Sequence, residues 1–121
     1  RSGISSVREK QGMKLVLVCY SGSSASILRD RMLAWARANL LDVEIIVSSL
    51  AGLDEDKEDA DIVLVGPQVR CALASVRERV PERIPVMAVD TRDYGMAKGD
   101  RVMQAALDEI RQYKEHKIHM E

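Results

Sequence analysis

The chain has 121 residues, of which 46% are hydrophobic and 31% charged, which excludes a disordered polymer and supplies one compact core but not two. Eighteen Lys and Arg stand against 19 Asp and Glu, so the net charge of −1 lacks the basic excess of a nucleic-acid binder, and 3% aromatics with no Phe leave no base-stacking platform. No apolar run nears the ~20 residues that span a bilayer and no secretory signal is read, so a cytoplasmic protein with reduced thiols and no direct membrane insertion is expected.

Arg1 to Gly12 is polar and aperiodic and reads as a loose leader, a linker or a cloning remnant. A single domain is expected over residues 13–121. The first apolar run is Lys14-Leu15-Val16-Leu17-Val18, ending at Cys19. Val43 to Val47, Ile62 to Val65 and Val86 to Val89 resemble it. All four runs are rich in Val and Ile and nearly continuous, the pattern of strands covered on both faces in a parallel sheet. Helical spacing fills the gaps. Leu28, Met32 and Trp35 place a helix over Ser26 to Asn39. Residues 48–61 read as a short helix or a solvated loop around Asp54-Glu55-Asp56-Lys57-Glu58. Val69, Leu73, Val76 and Val80 form a stripe on a helix over Gln68 to Val80, opened by Pro67 and stopped by Pro81. After a loop, Met103, Leu107 and Ile110 mark a last helix capped by Asp100, with a polar tail from Lys114 expected to fray. The alternation predicts an α/β fold with a four-stranded parallel sheet and helices on both faces.

In open parallel sheets, ligands bind beyond the carboxyl ends of the strands. The first strand ends there at Cys19-Tyr20-Ser21-Gly22-Ser23-Ser24-Ala25-Ser26, a small, polar, flexible stretch before a helix. Such a loop can turn successive N–H groups inward as an anion nest, and the helix adds its positive end. Gly22 frees the backbone, and Ser24 and Ser26 can cap or donate. A thiol at Cys19 is expected to lie open to the site, with a pKa lowered by the helix end. The other strand ends carry Ser48-Ser49, Gly66-Pro67-Gln68 and Asp90 with Tyr94-Gly95. No Walker loop, no dinucleotide fingerprint and no cysteine pair of zinc-knuckle spacing occurs, so no cofactor and no metal is assigned. Thiol phosphatases and arsenate reductases resemble this strand, Cys, loop and helix order. Their motif places Arg six residues after Cys, where this chain has Ala25, although Asp90 or Asp93 could serve as the acid. What remains is a site able to accept a phosphoryl group on sulfur and hold it.

Lys14-Leu-Val-Leu-Val-Cys19-Tyr-Ser-Gly22-Ser-Ser24-Ala-Ser26 resembles the start of the lactose/cellobiose (chitobiose) class of IIB components of the sugar phosphotransferase system (PTS). Asp61-Ile-Val-Leu-Val-Gly66-Pro67-Gln68-Val69 resembles that family's third strand, and Val89-Asp90-Thr-Arg-Asp-Tyr94-Gly95 its fourth. The resemblance implies a three-layer fold, flavodoxin-like or low-molecular-weight-phosphatase-like. It implies a phosphotransferase in which Cys19 carries phosphate as phosphocysteine. Tyr20, Ser21, Gly22, Ser23, Ser24, Ala25 and Ser26 would cradle the phosphoryl group, mainly through backbone N–H. Pro67, Gln68, Asp90 and Tyr94 would line the mouth. The implied partners are a IIA protein that donates from phosphohistidine and a membrane IIC permease that binds the sugar. Two positions depart from the pattern: Tyr20 is bulkier than usual, and Ala25 lacks a hydroxyl. A regulatory domain of a sugar-responsive transcription regulator and a thiol phosphatase are the alternatives.

Other groups read as structural. Cys71 is expected to be a packing thiol, and His116 and His119 lack further metal ligands. Arg70, Arg77, Arg79 and Arg83 read as a solvated face before an acidic-partner dock.

Overall fold

Strands without polar alternation need cover on both faces, and the fold supplies it. The structure, a computed structural model, describes residues 12–20 and 22–120, with side chains described except at 22, 23 and 116–120. The expected leader, apart from Gly12, lies outside the described residues. The element order is β1 (Met13–Val18), α1 (Gly22–Ala38), β2 (Val43–Ser48), α2 (Leu53–Asp56), β3 (Ile62–Val65), a 3-10 helix (Pro67–Ala72), α3 (Leu73–Arg79), β4 (Val86–Ala88), α4 (Thr91–Gly95) and α5 (Gly99–Met120).

The strands pair in parallel in the order β2-β1-β3-β4. Successive strand residues point to opposite faces. Leu15, Leu17, Ile62 and Leu64 therefore meet one core, built with Leu28 and Met32 of α1 and Met103 and Ala106 of α5. Val16, Val18, Val63 and Val65 meet a second, with Leu53, Val69 and Val76. This is the expected three-layer arrangement. From β1 the chain steps to β2 on one side and then crosses to β3 on the other, so the strand order reverses between β1 and β3. Their carboxyl ends flank the point where such sheets form a crevice.

Four boundaries differ from the sequence expectation. Helix α1 begins at Gly22, not Ser26, because Ala25 and Leu28 are both fully buried and share one face, and burial outweighs the weak helix preference of Ser and Gly. The helix after β3 is broken into a 3-10 helix and α3, with Val69 at φ −114 and ψ 21. Val69 is fully buried, so its packing takes precedence over regular helix geometry. The loop after β4 contains α4, whose leading N–H groups at Arg92 and Asp93 donate to the Asp90 carboxylate at 3.1 Å each. Helix α5 starts at Gly99, one residue ahead of the expected Asp100 cap, and continues through the tail to Met120. In the ambiguous segment α2 is a single short turn, tied to α3 by Asp54 and Arg79 at 3.3 Å.

Candidate functional site

Cys19 follows β1 directly, and α1 opens three residues later. Its N–H donates to the Ser48 carbonyl at the end of β2 (2.9 Å). One residue earlier, the Val18 carbonyl accepts from the Gly66 N–H at the end of β3 (2.9 Å). The thiol thus stands where three strand ends are clamped together, at the reversal of strand order. The leading N–H groups of α1 have no carbonyl partner within the helix, and the helix opens three residues after Cys19.

The residues expected to form a cradle separate into distinct roles. Tyr20 is 71% exposed. Ser21 lies outside the described residues, as does the side chain of Ser23. Ser24 is exposed and Ser26 half-buried, both inside the opening turns of α1 rather than in a loop. Ala25 is fully buried in the core beneath α1, so its missing hydroxyl is a packing requirement. An eight-residue loop thereby shortens to the span between Cys19 and Gly22.

Gly66 organises the neighbouring wall. A Cβ there would stand 3.2 Å from the Val18 carbonyl oxygen, 3.4 Å from Gln68 Oε1 and 3.4 Å from Tyr94 Cε2. The tight approach is to the Val18 carbonyl, while the Gln68 side chain and the Tyr94 ring edge reach this strand end at ordinary contact distance. Pro67 is half-buried and opens the 3-10 helix. Asp90 is exposed, and its carboxylate is engaged as the cap of α4. Tyr94, expected at the mouth, is instead 6% exposed and packs in the same core as Cys19. Its hydroxyl is buried and makes no hydrogen bond of ordinary geometry.

The thiol's acidity reverses the sequence expectation. Cys19 is 3% exposed, not open, and burial pushes its pKa up, partly offset by the hydrogen bond that Tyr94 can give the ionised sulfur. Burial raises the Tyr94 phenol as well, with the adjacent Cys19 charge adding to it. The sulfur shares a buried core with Ala25, Leu28 and Tyr94, and this low-dielectric surrounding outweighs the helix end.

Outside this site, Cys71 is exposed and not the expected packing thiol, because the 3-10 helix turns Val69 rather than Cys71 inward. Arg70, Arg77 and Arg83 are exposed, whereas Arg79 braces α3 by donating from Nη2 to the Leu50 carbonyl (2.7 Å). His116 and His119 have side chains outside the described residues. A cleft of about 390 Å3 between α4 and α5 is lined by Arg92, Asp93, Met96, Lys98 and Arg101; of the residues weighed in the sequence it includes only Asp93, the alternative acid of the phosphatase reading. Among the described residues, no helix is long and apolar enough to cross a membrane. Sequence reasoning noted Ser48 only as a strand end; its carbonyl anchors Cys19, and its own hydroxyl donates to the Ser49 carbonyl (3.1 Å). The Asp90 cap was also legible, as Asp directly ahead of a Thr-Arg-Asp-Tyr turn.

The profile of the PTS lactose/cellobiose-specific IIB subunit family matches residues 14–105. The chain is 33% identical over 98 residues to the PTS system galactose-specific EIIB component of Lactococcus lactis subsp. cremoris, covering 76% of this chain and 91% of that protein. It is 33% identical over 95 residues to the oligo-beta-mannoside-specific EIIB component of Bacillus subtilis, covering 78% and 92%. The solution structure of the cellobiose-specific phosphotransferase IIB component from Borrelia burgdorferi superposes with a TM-score of 0.71 at 29% identity, over 84% of this chain and 94% of that one. The four-stranded sheet, the matched span and these relatives agree: the chain belongs to the PTS lactose/cellobiose-specific IIB family, the phosphoryl carriers of sugar phosphotransferase systems.

Proposed function

We propose that Cys19 is the residue that carries the phosphoryl group, taking it from a phosphohistidine on a IIA partner and yielding it to a sugar held by a membrane IIC permease. The observation that carries this reading is the position of Cys19: at the reversal of strand order, three residues ahead of α1, inside the span matched by the family. The Cys19 thiolate attacks phosphorus in line; the S–P bond forms as the N–P bond breaks, and the imidazole nitrogen keeps the electron pair. In the second step a sugar hydroxyl attacks phosphorus, the O–P bond forms, the S–P bond breaks, and the hydroxyl proton is released. Such transfer needs alignment and neutralisation of spread negative charge more than acid–base groups. Donors at the start of α1 would supply part of that neutralisation. Cys19 is covered rather than open, which counts against the relay, and transfer requires its cover to part so that the partner's phosphoryl group reaches the sulfur.

Hydrolysis is disfavoured by the same residues. The position where thiol phosphatases place their arginine is the buried Ala25, and Arg29, further along α1, lies 3.6 Å from Asp30. Work with IIA and IIC partners implies a cytoplasmic location at the inner face of a membrane. The test is to incubate the chain with phosphorylated general relay proteins and candidate IIA partners, then map the added group by mass spectrometry. Label is expected on Cys19 and lost in Cys19→Ala. Label on Ser or His, with Cys19 unmodified, overturns the reading.

A further inference from the structure

A buried thiol is a weak nucleophile, because low dielectric favours its neutral form. A donor that favours the Cys19 anion offsets this, and one buried side chain is poised to act as one. Among the described residues, the Tyr94 hydroxyl is the only buried side-chain nitrogen or oxygen without a hydrogen-bond partner. Leaving such a group unpaired is costly, and it is tolerated where another state of the molecule supplies the partner.

Tyr94 is held in place from three directions. Its N–H donates to the Asp90 carbonyl (2.9 Å), and the Asp90 carboxylate caps the same turn. Its ring edge closes over Gly66, where a Cβ would sit 3.4 Å from Cε2. It shares a core cluster with Cys19. Resting on the reading of Cys19 as nucleophile, we propose that Tyr94 is a catalytic residue whose hydroxyl donates a hydrogen bond to the Cys19 sulfur once the thiol has ionised, holding the thiolate ready for phosphorus. The thiol proton goes to water. The sulfur electron pair then forms the S–P bond as the N–P bond breaks, and Tyr94 keeps its own proton throughout. Both acidities agree in direction: the Tyr94 hydrogen bond pulls the thiol pKa down against burial, and the raised phenol stays protonated as a donor. Hydrogen bonds to an ionised acceptor are the strong kind, so one such donor has a large effect on the thiolate population.

The test compares the wild-type chain with Tyr94→Phe, which keeps the ring and removes only the hydroxyl. Alkylation by iodoacetamide is followed from pH ~6 to ~10 by peptide mass spectrometry, with the exposed Cys71 as reference in the same sample. In the variant, Cys19 alkylation relative to Cys71 is expected to fall about tenfold near pH ~8 and to recover only at higher pH. Phosphoryl uptake from a phosphorylated IIA donor falls alongside it. The urea midpoint is expected to hold or rise, since the lost hydroxyl was unpaired. An unchanged Cys19 alkylation profile overturns the proposal, whatever the midpoint does. If the profile shifts but wild type takes no phosphoryl group on Cys19, the Tyr94–Cys19 pair is sustained and the carrier reading falls.

Discussion

At the residue scale, the acidity of one sulfur is set by opposing effects of comparable kind. A helix start favours the thiolate, and burial disfavours it; at Cys19 burial prevails. The folded state therefore holds the thiol proton more tightly than the unfolded chain does. Such a group adds stability that is full below the unfolded thiol pKa of ~8.5 and is lost as pH rises through the higher folded value. Wild type is expected to lose more urea resistance than Cys19→Ala between pH ~8 and ~10. Parallel pH slopes for the two proteins would contradict the assigned direction. The motif Cys-Tyr-Ser-Gly located this residue in the sequence. It could not reveal the enclosure, which depends on Tyr94, 75 positions away in the chain by number.

At the element scale, helix ends decide more than helix centres. α1 closes with the Leu40 N–H donating to the Arg37 carbonyl (3.1 Å) and the Leu41 N–H to the Ala36 carbonyl (2.8 Å), a Schellman pattern. That pattern requires a left-handed residue, and Leu40 takes it at φ 58 while 93% exposed. A side chain there is strained by roughly 1–2 kcal/mol. Leu40→Gly removes the strain but gives the unfolded chain more freedom, so a net gain of about 0.5–1 kcal/mol is expected. Urea denaturation reads it as a higher midpoint at unchanged slope. The start of α1 was misread by four residues because Ser and Gly are weak helix formers, whereas the buried Ala25 is what extends the helix. The break at Val69 was invisible for the same kind of reason, since the Val69, Leu73, Val76 and Val80 stripe fits an unbroken helix.

At the scale of the whole molecule, three layers must meet without gaps, and one glycine permits the contact between α1 and α5. A Cβ at Gly99 would lie 2.4 Å from the Arg31 carbonyl carbon and 2.5 Å from the Met32 nitrogen, both backbone atoms that cannot swing away. Gly99→Ala is expected to force the two helices apart and cost about 3 kcal/mol, read as a lowered thermal midpoint. Retention of the wild-type midpoint would mean that the helices do not approach this closely. By itself the sequence determined the layer architecture and singled out the candidate site along the chain. Continuous apolar runs alternating with helical stripes admit little else, and the residues around Cys19 are local in sequence. Only the tertiary structure decided the order β2-β1-β3-β4, the depth of the sulfur and the meeting of Cys19, Gly66 and Tyr94. Those depend on which distant strand ends come to lie side by side, and burial and acidity are properties of that assembled surrounding rather than of any local run of residues.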